Sequence, residues 1–84
     1  MSAIKVTVKL FAAYQEAYGT PELILEFPAN TPVSAIREHL ITQHPQLEQL
    51  RNVTRFGINF QFVEADTILH DEDEVVLIPP VSGG

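Results

Sequence analysis

A chain of 84 residues makes one domain, and at 45% hydrophobic residues it can build a single modest core without metal or disulfide staples. Eleven acidic residues against five basic give a formal charge of -6, which opposes binding to nucleic acid and points to protein partners with basic surfaces. The absence of cysteine excludes disulfides, thiolate zinc sites and thiol or persulfide chemistry on a side chain.

The opening segment IKVTVKL alternates Ile4, Val6, Val8 and Leu10 with Lys5, Thr7 and Lys9, the period-two pattern of a half-buried strand. It contains no continuous apolar stretch, so neither a signal peptide nor a membrane span is expected, and the expected location is cytoplasmic. FAAYQEAYG is rich in helix formers and stops at Gly19, which predicts a short helix with a glycine C-cap. PELILEF alternates Leu23, Leu25 and Phe27 with Glu22, Ile24 and Glu26. It predicts a second strand, antiparallel to the first.

NTPVSAIREHLITQHP predicts the main helix, with Thr31 as N-cap, Pro32 at the first helical position and a stop before Pro45. Val33, Ile36, Leu40 and Ile41 form its apolar stripe, away from Arg37, Glu38 and Gln43. PQLEQLRNV, with Leu47, Leu50 and Val53 at spacings of three, predicts a short helical or 3₁₀ turn. FGINFQFVE reads as one third strand, with Ile58, Phe60 and Phe62 against Asn59, Gln61 and Val63. ADTILHDEDE has room for a short edge strand at Thr67 to Leu69 and then a turn, and the continuous apolar run VVLIP suits a central strand. The expected fold class is α+β, a mixed sheet of about five strands with one main helix across it. If the first and last strands pair in parallel, the topology is the β-grasp of ubiquitin. The expected division is a domain over residues 1–78 and a flexible Gly-Gly tail over 79–84.

The side chains offer little chemistry of their own. His39 and His44, five apart on a helix, point about 140° away from each other, and His70 is isolated, so a histidine metal site is not expected. Asp71, Glu72, Asp73 and Glu74 lack the ligand spacing and glycine of a calcium loop; a solvated acidic turn is expected, or a patch that pairs with a basic partner. No serine stands in a hydrolase motif, and no glycine-rich phosphate loop occurs.

The ending PPVSGG is the exception. Pro79 and Pro80 end the last strand and aim the chain away from the sheet, since neither can donate a ladder hydrogen bond. Four residues beyond Pro80 extend roughly 13 Å, enough to enter another protein's active site. Gly83 and Gly84 carry no Cβ, so a narrow channel can close on their backbone while the terminal carboxylate stays open to attack. Once activated as an acyl adenylate, such a carboxylate can acylate an amine or take up sulfur as a thiocarboxylate, a soft sulfur nucleophile. In a chain without cysteine, that is where sulfur can be carried.

VKLFAAYQEAYGT, INFQFVEADTILHDEDEVVLIPPVSGG and the helix between them resemble the MoaD group of ubiquitin-like sulfur carriers, the small subunits of molybdopterin synthases. The resemblance covers nearly the whole chain. It implies that Gly84 is adenylated by an E1-like adenylyltransferase using ATP, converted to a thiocarboxylate with sulfur from a donor such as a cysteine desulfurase or rhodanese, and inserted into the large subunit. There the sulfur passes to cyclic pyranopterin monophosphate. Gly83, Ser82, Val81, Pro80 and Pro79 would thread the tail, in a heterotetramer of two small and two large subunits. Catalysis would belong to the large subunit, with no cofactor on this chain and no nucleic-acid or membrane partner. Candidate docking residues are Phe60, Phe62, Asp71, Glu72, Asp73 and Glu74, although the alternation around Phe60 and Phe62 favours core packing for both. Glu72 departs from the Asp-Gly turn common in relatives, which puts a positive φ there in question. The alternatives are a sulfur carrier or modifier of another pathway, such as thiamin, tRNA thiolation or cysteine synthesis, and a noncovalent binding module.

Overall fold

The computed structural model describes residues 3–80, so Val81, Ser82, Gly83 and Gly84 lie outside the described residues. In chain order the elements are β1 (Ala3–Lys9), α1 (Ala12–Tyr18), β2 (Glu22–Pro28), α2 (Ser34–Gln43), a 3₁₀ helix (Pro45–Leu50), β3 (Arg55–Ile58), β4 (Gln61–Val63) and β5 (Glu74–Ile78). The strands form one mixed sheet in the order β2-β1-β5-β3-β4. β1 pairs in parallel with β5 through Thr7↔Glu74, Val8↔Val75 and Lys9↔Val76, and antiparallel with β2 along its whole length. That is the β-grasp arrangement, with the apolar run at the chain's end in the middle of the sheet.

Alternation decides which face is covered. Ile4, Val6 and Val8 of β1, Phe56 of β3, and Val75 and Leu77 of β5 are buried against Val33, Ile36, Leu40 and Ile41 of the helical stripe. Each fully buried aliphatic side chain contributes about 1.5–3 kcal/mol relative to exposure. α1 ends on Gly19 at φ 69, the left-handed C-cap expected of that glycine. It buries Tyr14, whose hydroxyl donates to Thr54 Oγ1 at 2.6 Å while Thr54 Oγ1 donates to the Leu50 carbonyl at 2.8 Å. Burial pushes the Tyr14 phenol up from its ordinary pKa, which keeps it a donor.

Three sequence expectations give way to other structure. Thr31 does not cap α2. Its hydroxyl donates to Pro28 O, and the first helical amides are satisfied from the 65–67 loop instead, Val33 N donating to Thr67 O and Ser34 N to Ala65 O. The edge strand at Thr67 to Leu69 reduces to a single bridge, Pro32↔Ile68, made by Val33 N donating to Thr67 O and Leu69 N to Thr31 O; it goes no further because Pro32 has no N–H and the chain enters α2 at Ser34. The short turn expected of PQLEQLRNV does form, as the 3₁₀ helix; after it Val53 is exposed and Thr54 takes the inward position. The segment read as one third strand is a hairpin: Ile58↔Gln61 closes a two-residue turn in which Asn59 and Phe60 have φ 50 and 73. Positive φ at both central residues is the requirement of a type I′ turn.

Glu72 also has positive φ, 69, and its N–H donates to Lys5 O. A left-handed non-glycine residue costs roughly 1–2 kcal/mol, less the added chain entropy of glycine. Glu72→Gly should therefore raise stability by about 0.5–1 kcal/mol in denaturant unfolding; a loss of stability contradicts this. Elsewhere, the hydrogen bond from Arg51, aided by Arg37, holds the half-exposed Glu38 carboxyl below its ordinary pKa of 4.5. The stability this adds is present above 4.5 and disappears as pH falls through the lower folded value. Exposure limits it to about 0.5 kcal/mol. Glu38→Gln should flatten the acid limb of the stability profile by that amount.

Candidate functional site

β5 carries the apolar chain end through the centre of the sheet and releases it at Ile78, whose last register partner is Arg55. Pro79 is buried and Pro80 exposed, so the chain leaves the core between the two prolines. Asn52, Val53, Thr54, Arg55, Ile78, Pro79 and Pro80 line an open cleft of about 750 Å³ at this exit. The exposed Val53 is one wall of it.

The face of the sheet away from α2 is open. Register places Phe62 opposite Gly57, and Gly57 opposite Val76, with Lys9 beyond Val76 on β1. Phe60 is 91% exposed and Phe62 75%, so core packing, favoured by the sequence pattern, fails for both. The reason is the hairpin: the turn puts Phe60 at its tip, and re-entry on β4 aims Phe62 at the open face. Together with Gly57, Gln61, Val76 and Ile78 they line a shallow depression of about 170 Å³. Ile78 belongs to both depression and exit cleft, so one apolar surface runs along β5 to the chain exit. At its margin Lys9 pairs with Glu22 at 2.6 Å, which raises the Lys9 pKa by that hydrogen bond and by the carboxylate's charge.

The acidic turn sits at the opposite end of β5 from the exit, roughly 16 Å away at ~3.3 Å per residue. It is not uniformly solvated. Asp73 is buried: Oδ2 accepts from His70 N at 2.8 Å, and Oδ1 accepts from Asn59 Nδ2 at 3.0 Å. Asp71 Oδ1 accepts from Lys5 N at 2.8 Å, while Glu74 N donates to Asn59 Oδ1 at 3.0 Å. Asp71 and Asp73 thus join β1, β5 and the β3–β4 hairpin, leaving Glu72 and the half-exposed Glu74 side chain as the freer charges. Asn59 is the residue the sequence reading passed over. Its signal was present, since asparagine tolerates the left-handed region and stood inside an otherwise strand-like run.

Among the described residues no group of three or more His, Asp or Glu is arranged to hold a metal ion. His39 instead packs edge-on to Phe27, and His44 edge-on to Tyr18. No helix among them is long and apolar enough to cross a membrane.

The ThiS family profile matches residues 8–84. The molybdopterin synthase sulfur carrier subunit of Arabidopsis thaliana is 31% identical over 83 residues, covering 99% of this chain and 86% of that protein. The small archaeal modifier protein 1 of Methanosarcina acetivorans shares the fold at a TM-score of 0.76 and 30% identity, over 100% of both chains. A complex of subunits 1 and 2 of the molybdopterin-converting factor of Helicobacter pylori contains a chain of the same fold, at a TM-score of 0.60 and 24% identity, covering 96% of this chain and 100% of that one.

Because neither phenylalanine is buried, Phe60→Ala and Phe62→Ala should each change folding stability by less than about 1 kcal/mol. A loss of about 3 kcal/mol, the scale of a truncated core phenylalanine, would show that the hairpin side chains pack after all.

Proposed function

The chain belongs to the ThiS family of ubiquitin-like sulfur carriers, with relatives of the MoaD type, and on that premise we propose that it is the sulfur-carrying small subunit of a molybdopterin synthase. The working group is the Gly84 carboxylate. An E1-like adenylyltransferase joins it to the α-phosphate of ATP, releasing pyrophosphate. A persulfide on a donor protein then attacks the carbonyl carbon and AMP leaves; a second thiol cleaves the S–S bond of the resulting acyl disulfide, which releases the terminus as a thiocarboxylate and leaves a disulfide on the donor side. In the large subunit this sulfur passes to cyclic pyranopterin monophosphate, and the machinery for that step belongs to the larger partner.

The observation that supports this reading is the continuity of the exit cleft with the apolar open face through Ile78. A partner that covers Phe60, Phe62 and Val76 also receives the chain beyond Pro80 at its own surface. Exposed aromatics joined into one apolar patch are the usual anchors of a protein interface. The large subunit is the partner we assign to it, and Val81, Ser82 and Gly83 carry the thread from Pro80 to the sulfur.

A second reading, a carrier or modifier of another pathway, draws on the likeness to the archaeal modifier protein. Both readings use the same Gly84 chemistry and differ in the acceptor, which is sulfur-accepting pterin in one and another substrate or an amine in the other.

Incubation with an E1-like adenylyltransferase, ATP and a sulfur donor should replace one oxygen by sulfur in the intact mass. A variant lacking Gly84 should show no such replacement and keep the wild-type circular dichroism, because a terminal glycine has no side chain to contribute to a core. An unchanged mass for the full chain sinks both carrier readings in favour of a noncovalent module.

A further inference from the structure

The tip of the β3–β4 hairpin carries an anomaly. Type I′ turns are ordinarily built from Asn-Gly or Asp-Gly, because both central residues need positive φ. Here Gly is replaced by Phe60, at φ 73 and 91% exposed. A bulky residue in the left-handed region is strained, and at this exposure its own packing does not hold it there. The restraint comes from the residue before it. Asn59 Nδ2 donates to Asp73 Oδ1, Asn59 Oδ1 accepts from Glu74 N, and Asn59 N donates to Glu74 O at 2.8 Å. Asp73 is itself buried and fixed by His70 N.

We infer that Asn59 is a positioning residue, which through its bridge to Asp73 and Glu74 presets the exposed Phe60 ring as the leading anchor for the docking partner. This rests on the reading of the open face as the large subunit's docking surface, and adds to it the device that arranges that surface in the free chain. A backbone already held in its bound conformation does not have to be ordered during association, so its contribution to affinity is retained. The acidic segment acquires a different role with it. Asp73 serves docking from beneath, by holding the hairpin, rather than by meeting a basic partner.

The test is a double-mutant cycle on affinity for the isolated large subunit of a molybdopterin synthase, using the full chain. Phe60→Ala should weaken binding by about tenfold or more, as loss of an aromatic anchor does. Asn59→Gly, which allows positive φ and removes the side-chain bridge, should weaken it by about tenfold, the scale of ordering one residue's backbone on binding. In the Phe60→Ala background, Asn59→Gly should have no further effect beyond about twofold, because the anchor it presets is gone. Asp73→Asn removes part of the same bridge from the other side and should show the same dependence on Phe60, which gives an independent reading if Asn59→Gly folds poorly. If Phe60→Ala binds normally, the docking reading itself fails. If Phe60→Ala is weakened while Asn59→Gly binds like wild type, or if Asn59→Gly costs the same factor in both backgrounds, the positioning role alone is overturned.

Discussion

The structure depends on the parallel pairing of β1 with β5. It brings the beginning and end of the chain together at the centre of the sheet, where Val8 and Val75 are neighbours in register and are both buried beneath α2. Parallel ladders need cover and a long crossover, and here the crossover is nearly the whole domain. The consequence for function is mechanical. β5, which leads to the chain exit, is a central strand paired on both edges, with β1 and with β3, so a partner that draws on the chain beyond Pro80 draws on the core.

The opposite end of β5 is held by polar groups. Asp71, Glu72 and Asp73 fasten β1 through Lys5 N, Lys5 O and Thr7 N, and Asp73 and Glu74 fasten the hairpin through Asn59. In this acidic chain the Asp71 and Asp73 carboxylates are stabilised by backbone and amide donors. Charge-assisted hydrogen bonds of that kind contribute more than neutral ones and are costly to leave half-made. They also explain how a left-handed Glu72 is tolerated where glycine would be easier: the turn is defined by what its neighbours bond to.

Much of this was legible in the residues. Alternation in IKVTVKL and PELILEF, the Gly19 stop and the Val33, Ile36, Leu40, Ile41 stripe each state a period and a boundary, and the structure follows them. The hairpin was not legible because Phe-Gly-Ile-Asn-Phe-Gln-Phe keeps period two through a turn that lacks glycine, so periodicity alone reads straight across it. Thr31 carried every local mark of an N-cap and was overruled by the carbonyls of Ala65 and Thr67, residues more than thirty positions away. The acidic turn looked solvated because sequence shows charge and not which carboxylate finds buried donors. Of the candidate site, composition and order pointed to the tail; the apolar surface beside its exit appears only once β3, β4 and β5 are laid together.

The central claim is that this chain carries sulfur on Gly84 and surrenders it to a pterin held by a larger partner. It is tested most directly by charging the chain with isotopically labelled sulfur and mixing it with the large subunit and cyclic pyranopterin monophosphate. The account predicts that label leaves the protein, returning its terminus to a carboxylate, and appears in the dithiolene of the product. Label that stays on the chain in the presence of both, or that is lost as free sulfide without entering the pterin product, would contradict it.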